Sequence, residues 1–387
     1  MPNDVDLLIL GGGCAGLSLA MQLAQLGVRA PSTVILERRS VYENDRTWCF
    51  WGNEKTSFAT LAAHQWHAVS VAKADQVVRV ECADAAYQML AAEQFYSAAT
   101  TALSKAPGIQ LHMDSPVLSE PQLKAGRWHF QTSKGAFSAA MVVDTRPAAP
   151  VSNSAALMWQ SFYGQEIDCS QPVFEPGCAE LMSFSSASPD RVAFTYVLPI
   201  SSTRALVEFT VFAVEPQSAQ ALSADLASAI EQRVKGADFA VLRSEQGVLP
   251  MGLTPALTAL GGHDHASTYV RVGLFAGAAR PATGYAFQRI QRWATDCAAR
   301  MAGGGSPLAH AKDPWLLARM DSLFLHVIQR QPQLAPHLFM AIFTRVESQR
   351  VIRFLSDQGR LSDYAAIVWA LPFRPFLRQL FRLPSWS

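Results

Sequence analysis

At 387 residues the chain exceeds what one hydrophobic core usually supports, so two intertwined domains, or one domain with a helical extension, are expected. Half of it is hydrophobic and only 16% is charged, against about a quarter in ordinary soluble domains, so the excess apolar content needs a large interior or a surface that meets lipid or a greasy substrate. A formal charge of +1, from 32 basic and 31 acidic residues, excludes general attraction to nucleic acid, and the lack of any 18-residue apolar run argues against a membrane-spanning helix.

The first element is an apolar strand over residues 5–10. It runs into Gly11-Gly12-Gly13-Cys14-Ala15-Gly16, a helical stretch, a second strand Val34-Ile35-Leu36 and then Glu37. Strand, glycine turn, helix, strand and acid are the layout of a dinucleotide-binding βαβ unit. Gly11 makes the tight turn, Gly13 lets the backbone approach a pyrophosphate, and Gly16 lets helix and strand pack closely. The free N–H groups of the helix start, Ala15 among them, then face the phosphates. Glu37 stands where a carboxylate accepts hydrogen bonds from both ribose hydroxyls of an adenosine and repels a 2′-phosphate. The motif sits at the very start of the chain, the placement common in flavoproteins that grip FAD, so FAD is expected ahead of NAD.

Next come Asn44-Asp45-Arg46-Thr47-Trp48-Cys49-Phe50-Trp51, where Arg46 is a further cofactor candidate, and a helical pattern over 85–103. Strands are expected at 109–113 and 128–132, and a buried strand over 141–144 ends in the polar turn Thr145-Arg146-Pro147. Between 159 and 251 short alternating runs (192–198, 205–214, 248–251) predict a second sheet. Residues 269–275 read as another buried strand. Gly277-Ala278-Ala279-Arg280-Pro281-Ala282-Thr283-Gly284 follows, then a helix from 285 to about 301. Pro281-x-x-Gly284 before a helix start suits a flavin's pyrimidine edge, since free N–H groups and the positive dipole end favour an anionic reduced ring. Gly277, Ala278, Pro281, Thr283 and Gly284 therefore join the cofactor-binding candidates. Gly303 to Pro307 is a break, and the remainder reads as mostly helical.

The expected fold is α/β: a doubly wound, Rossmann-like FAD-binding domain from 1–158 and 262–305, an inserted β-sheet substrate domain over 159–261, and a helical region over 306–387. Six scattered cysteines without a Cys-x-x-Cys pair, and no basic segment before an apolar stretch at the start, predict a reduced, cytoplasmic protein. His64/His67 and His263/His265 lack a third ligand at sensible spacing, so no metal is expected.

Several segments occur in one order: the glycine turn, 44–51, 143–147, Phe194-x-Tyr196-Val197-Leu198-Pro199, Ala205-Leu206-Val207-Glu208-x-Thr210, Glu245-x-Gly247-x-Leu249-Pro250, Arg280-Pro281-x-Thr283-Gly284-Tyr285-x-Phe287, Arg353-Phe354-Leu355-Ser356 and Leu371-Pro372-Phe373-x-Pro375-Phe376-Leu377. Nearly end to end, the chain resembles the bacterial flavin-dependent lycopene β-cyclases. The resemblance implies FAD used in its reduced state, with NAD(P)H a candidate electron source, and acid-started ring closure at the end of a linear polyene without net oxidation. It implies that Glu208 is the essential acid. From the residues alone, Glu208 shares a strand face with Leu206 and Thr210, and burial there would raise its pKa so that it holds a proton at neutral pH; a solvent-facing glutamate is the alternative. The chain departs from the family at Ser183, where members commonly have aspartate, and at Phe209, where many have a second acid.

Other readings of the same residues are a polyene reductase, a flavin monooxygenase or halogenase, a cyclase acting on a polyene other than lycopene, and a carotenoid-binding protein with structural FAD. No Trp-x-Trp pair of the halogenase type occurs, and Gly277-Ala278 lacks the Gly-Asp of many hydroxylases. At the C-terminus Arg374, Arg378 and Arg382 are spaced by four, opposite Phe373, Phe376, Leu377, Leu380 and Phe381. That stretch suits a helix lying in a membrane interface. The expected partners are thus a long apolar polyene and the inner face of a membrane.

Overall fold

The apolar run of residues 5–10 shows no alternation because the strand it builds, Asn3–Leu10, is buried on both faces: Leu7 and Ile9 enter one core, Leu8 and Leu10 the other. The computed structural model describes residues 3–53, 55–82, 84–147, 156–185, 188–253 and 268–380. His263, His265 and the end of the expected interfacial helix, with Phe381 and Arg382, lie outside them.

From Asn3–Leu10 the chain passes through helix Cys14–Ala24 to the parallel strand Thr33–Leu36, completing the expected βαβ unit. The first sheet runs Ile109–His112, Thr33–Leu36, Asn3–Leu10, Gly135–Asp144, and then the antiparallel pair Arg127–Thr132 and Gln122–Lys124. Tyr269–Arg271 pairs parallel with Gly135–Asp144. Helices Cys14–Ala24, Ala92–Ser104 and Phe287–Ala302 share the core on one face. This is the α/β, Rossmann-like layer expected from the sequence, with its helices on one face.

The second sheet runs Phe239–Leu253, Ala156–Cys169, Arg204–Ala213, Val192–Pro199, Cys178–Phe184, Ala68–Lys73, Gln76–Glu81. Strict alternation divides its faces. Ala205 and Val207 pack with Ile167 and Val197 on Leu226, Ile230 and Val234 of helix Ala219–Val234, while Leu206 and Phe212 face the opposite core, where helices Trp315–Arg330 and Ala335–Arg345 sit. Ser348–Leu355, Leu361–Ala370 and Phe373–Leu380 complete the helical C-terminal region.

Four details differ from the sequence reading. Of the helical pattern over 85–103, residues Ala86–Ala91 form a strand held between Thr47–Gly52 and His64–Trp66, and the helix begins at Ala92; pairing on both edges overrides local propensity. The strand expected over 269–275 ends at Arg271, because Gly273 turns at φ +95. The later helix starts at Phe287, not 285, since Gly284 still lies in a turn at φ +71. The second sheet recruits Ala68–Lys73 and Gln76–Glu81 from far upstream and carries a helix, Ala219–Val234, within the stretch read as strands.

Candidate active site

One cavity of about 1090 Å³ joins the glycine loop, the inner face of the second sheet and the C-terminal helices. Of the residues singled out from sequence, Gly11, Gly13, Ala15, Glu37, Arg46, Glu208, Thr283 and Gly284 line it. Gly16, Gly277, Ala278 and Pro281 are not part of its wall. Gly16 acts in packing: a Cβ there would stand 2.1 Å from the Gly11 carbonyl oxygen. Gly11 needs glycine because its φ is +97.

The loop is preset for a dinucleotide. A Cβ built on Gly13 meets nothing within 4 Å, so open space lies directly before the helix start, as a pyrophosphate requires. Glu37 anchors the loop: its Oε2 accepts the Gly12 N–H at 2.7 Å, and its Oε1 accepts the Arg39 backbone N–H at 2.8 Å and Arg39 Nε at 3.0 Å. Burial alone would raise the Glu37 pKa, but the Arg39 and Gly12 hydrogen bonds hold it below the usual carboxylate range. Arg39 also donates to Tyr96 and stacks over Tyr42. Arg46 pairs with Asp45 at 2.6 Å. These glycines and the open space fit the pyrophosphate of FAD; Glu37, its oxygens taken by Gly12 and Arg39, shapes the loop and leaves no free acceptor for the ribose hydroxyls expected from the sequence.

The chemistry concentrates on the second sheet. In register across it stand Tyr196, Glu208, Gly164 and Glu245, one from each of four neighbouring strands. Residues opposite one another share a face, and because Gly164 has no side chain, Glu208 and Leu206 can fold over the strand that separates the two carboxylates. A Cβ at Gly164 would lie 3.2 Å from Glu208 Cβ. Glu208 is 7% exposed, and Thr210 Oγ1 donates to its Oε1 at 2.8 Å. Burial, with the charge of Glu245 nearby, pushes the Glu208 carboxyl up to about 8 against the pull of that hydrogen bond. The face shared with Leu206 and Thr210 is the one expected, and it is turned to the cavity rather than to bulk solvent.

Glu245 is held differently. Its Oε2 accepts Arg243 Nη1 at 2.5 Å and Thr47 Oγ1 at 2.7 Å. Burial raises its pKa too, but the guanidinium beside it makes it the member of the pair that carries the charge. Arg243 continues through Glu166 to Arg204, so the pair is braced from behind.

Aromatic rings line the space around Glu208: Phe162, Phe194, Phe212, Tyr196, Tyr87 and Tyr285. The Tyr87 and Tyr196 hydroxyls are 2.9 Å apart, and burial pushes both well above the usual phenol range, so they stay neutral. Farther on, the wall belongs to the C-terminal helices, through Phe324, Phe339, Phe343, Val368, Phe373 and Phe376. Val368 and Phe373 are also exposed on the outside, next to Trp369 at 73% exposure, Leu377 and Leu380; the apolar end of the cavity thus adjoins an apolar patch. Arg280, fully buried, makes a two-pronged ion pair with Asp321 at 3.0 Å, bonds the Phe354 carbonyl and covers the Phe354 ring, tying the Pro281–Gly284 turn to these helices.

Sequence reasoning missed Gly164, Arg243 and Arg39, and gave Thr47 and Glu245 no role although both stood in quoted motifs. Arg243 and Glu245, two apart in one strand, were the available signal.

Residues 6–381 match a family model described as Lycopene cyclase protein. A lycopene beta-cyclase from a Paracoccus strain is 30% identical over 260 residues, 64% of this chain; the match spans 65% of that relative's own length. A lycopene beta-cyclase from Pseudescherichia vulneris is 28% identical over 294 residues, 72% of this chain and 70% of the relative. Among solved structures, a geranylgeranyl bacteriochlorophyll reductase-like protein from Thermoplasma acidophilum superposes with a TM-score of 0.61 at 13% identity, covering 99% of both chains. A flavin-dependent brominase gives 0.62 at 12% identity, covering 98% of this chain and 100% of its own. At such identities these two report the fold alone.

Proposed function

We propose, from the premise that this chain belongs to the lycopene cyclase protein family, that it closes a six-membered ring at the end of a long linear polyene such as lycopene, by an acid-initiated isomerisation in which Glu208 donates the proton. The observation that carries this reading is Glu208 itself: a buried carboxyl, held up to about 8, that opens into the cavity bearing the glycine loop. A neutral carboxylic acid is what protonating an alkene at neutral pH needs.

The residues around it suit a short-lived carbon cation. Phe162, Phe194, Phe212 and Tyr196 offer ring faces to positive charge, and the apolar wall keeps out water that would trap the cation as an alcohol. FAD would be held by Gly11, Gly13, Ala15 and Arg46 at its adenosine and pyrophosphate, on a loop that Glu37 anchors, and by Thr283 and Gly284 near its ring. In its reduced state it supplies an electron-rich surface that stabilises positive charge.

The substrate is reached from lipid on this reading. The exposed Trp369, Phe373, Leu377 and Leu380, with Arg374 and Arg378 beside them, form a surface suited to acyl chains and head groups at the apolar end of the cavity. Among the described residues no helix is long and apolar enough to cross a membrane.

Expression in lycopene-accumulating cells with pigment analysis tests the proposal. A cyclised isomer of unchanged mass supports it, whereas unchanged lycopene, or a product heavier by two hydrogens, refutes it.

A further inference from the structure

We infer that Glu245 is a second catalytic carboxylate, the base that removes the proton when the ring double bond forms, lining the same cavity as Glu208 from the far side of the Gly164 strand. The inference rests on the cyclase reading above and deepens it by assigning the second proton transfer.

The geometry carries it. Glu208 and Glu245 sit on the two strands that flank Ala156–Cys169, both in register with Gly164. Two strand spacings separate their backbones by about 10 Å, and the residue between them has no side chain. Glu208 Cβ and Cγ and Leu206 Cδ1 fold over that position, and both carboxyl groups reach the wall of the same cavity.

Elimination among the cavity's acids points the same way. Glu37 spends both oxygens on Gly12 and Arg39, Asp45 both on Arg46, and Asp321 both on Arg280. Glu208 uses only Oε1, toward Thr210. Glu245 uses only Oε2, toward Arg243 and Thr47. Among the described residues these two acids alone line the cavity with one oxygen fixed by the protein and the other without a protein partner. One is neutral and able to give a proton. The other is paired with a guanidinium, charged and able to take one.

The step balances. The O–H bond of Glu208 breaks and its proton bonds to one carbon of the terminal double bond. The electron pair of a second double bond closes the ring, leaving the positive charge on a ring carbon. A C–H bond next to that carbon breaks, its electrons become the ring double bond, and its proton goes to Oε1 of Glu245. Once product leaves, one proton passes from Glu245 to Glu208, directly or through solvent, and nothing has been oxidised or reduced. The cation carbon has three neighbours that carry removable protons, two in the ring and one methyl, so the position of the base selects the double bond.

The experiment is anaerobic turnover of lycopene by the full chain with FAD, chemically reduced, followed by separation of ring isomers. Wild type should give one dominant isomer. Glu245→Gln should lower its rate about 100-fold and spread the remaining product over other double-bond positions or water-trapped alcohols, with FAD content unchanged. Should Glu245→Gln lose FAD or fail to fold, Glu245→Asp, shorter by one carbon, should shift the isomer ratio in the same way. An unchanged ratio in the folded variant, whether the rate falls or not, overturns the assignment to Glu245. Wild type that yields no cyclic product at all overturns the cyclase reading beneath it, a separate result.

Discussion

Replacing Glu208 by glutamine keeps the shape of the side chain and removes its exchangeable acid proton, and two consequences of opposite sign should follow. With its pKa at about 8, Glu208 is protonated in about nine of ten molecules at pH 7, against about three in a thousand for an ordinary glutamate at 4.5. Burial on this strand therefore makes the acid roughly 300-fold more available. Because the folded pKa lies above the unfolded one, the site costs nothing below pH 4.5 and lowers stability progressively as pH rises to about 8. At 1.36 kcal/mol per unit, that cost reaches about 3 kcal/mol at pH 7 and about 5 kcal/mol above pH 8. Glu208→Gln escapes it, so the variant should be inactive yet more stable than wild type, with the gap widening between pH 5 and 8. Wild-type turnover should fall about tenfold per pH unit above 8 as the acid ionises. Anaerobic turnover of detergent-dispersed lycopene from pH 6 to 9.5, with urea unfolding over the same range, reads both effects. A variant keeping a tenth of wild-type activity, or one less stable than wild type at pH 8, would refute the reasoning.

Three further expectations come from other parts of the site. Gly164→Ala places a methyl 3.2 Å from Glu208 Cβ, so turnover should drop about tenfold through misplacement of the acid while FAD content holds; unchanged turnover would contradict the role given to the exact placement of Glu208. Asp321→Asn strips the buried Arg280 of its counter-charge and should cost about 3 kcal/mol in urea unfolding, and a loss under 1 kcal/mol would contradict the bracing role of that pair. Trp369→Ser and Phe373→Ser should each weaken partition onto anionic vesicles about 30-fold, the equivalent of about 2 kcal/mol of aromatic burial; sedimentation of the variants with vesicles to the same extent as wild type would remove that surface from the membrane reading.

Much of this was legible in the chain, for reasons that differ by element. The βαβ unit could be read because its signals are local: an apolar run buried on both faces, glycines whose backbone demands no other residue meets, and a helix between. The face of Glu208 could be read because alternation in a strand is strictly of period two, and Leu206, Glu208 and Thr210 do fall together. Helix Ala219–Val234 was missed although Leu222, Leu226, Ile230 and Val234 carry its period in plain view; the strand signals on either side drew it into a sheet. The row Tyr196, Glu208, Gly164, Glu245 has no counterpart in sequence spacing, because strand order and register set it. Gly164 is one glycine among 23 until its two neighbours are known. Recruitment of Ala68–Lys73 into the second sheet is non-local in the same way.

The composition now has a physical destination. Part of the apolar excess that called for a greasy interior or surface lies in one continuous feature, from the aromatic wall around Glu208, through Phe324, Phe339 and Phe343, to the exposed Trp369 and Phe373. One property of that feature serves two requirements that would otherwise need separate devices. Removing water raises the cost of charge on Glu208, which keeps its proton on, and in the proposed reaction the same dryness would protect a carbon cation after the proton has left. A polar substitution in this wall, at Phe162 or Phe194, would then both acidify Glu208 and admit the nucleophile that traps the cation. Rate and product identity should fail together, whereas a contact serving only substrate affinity would alter KM and leave the product unchanged.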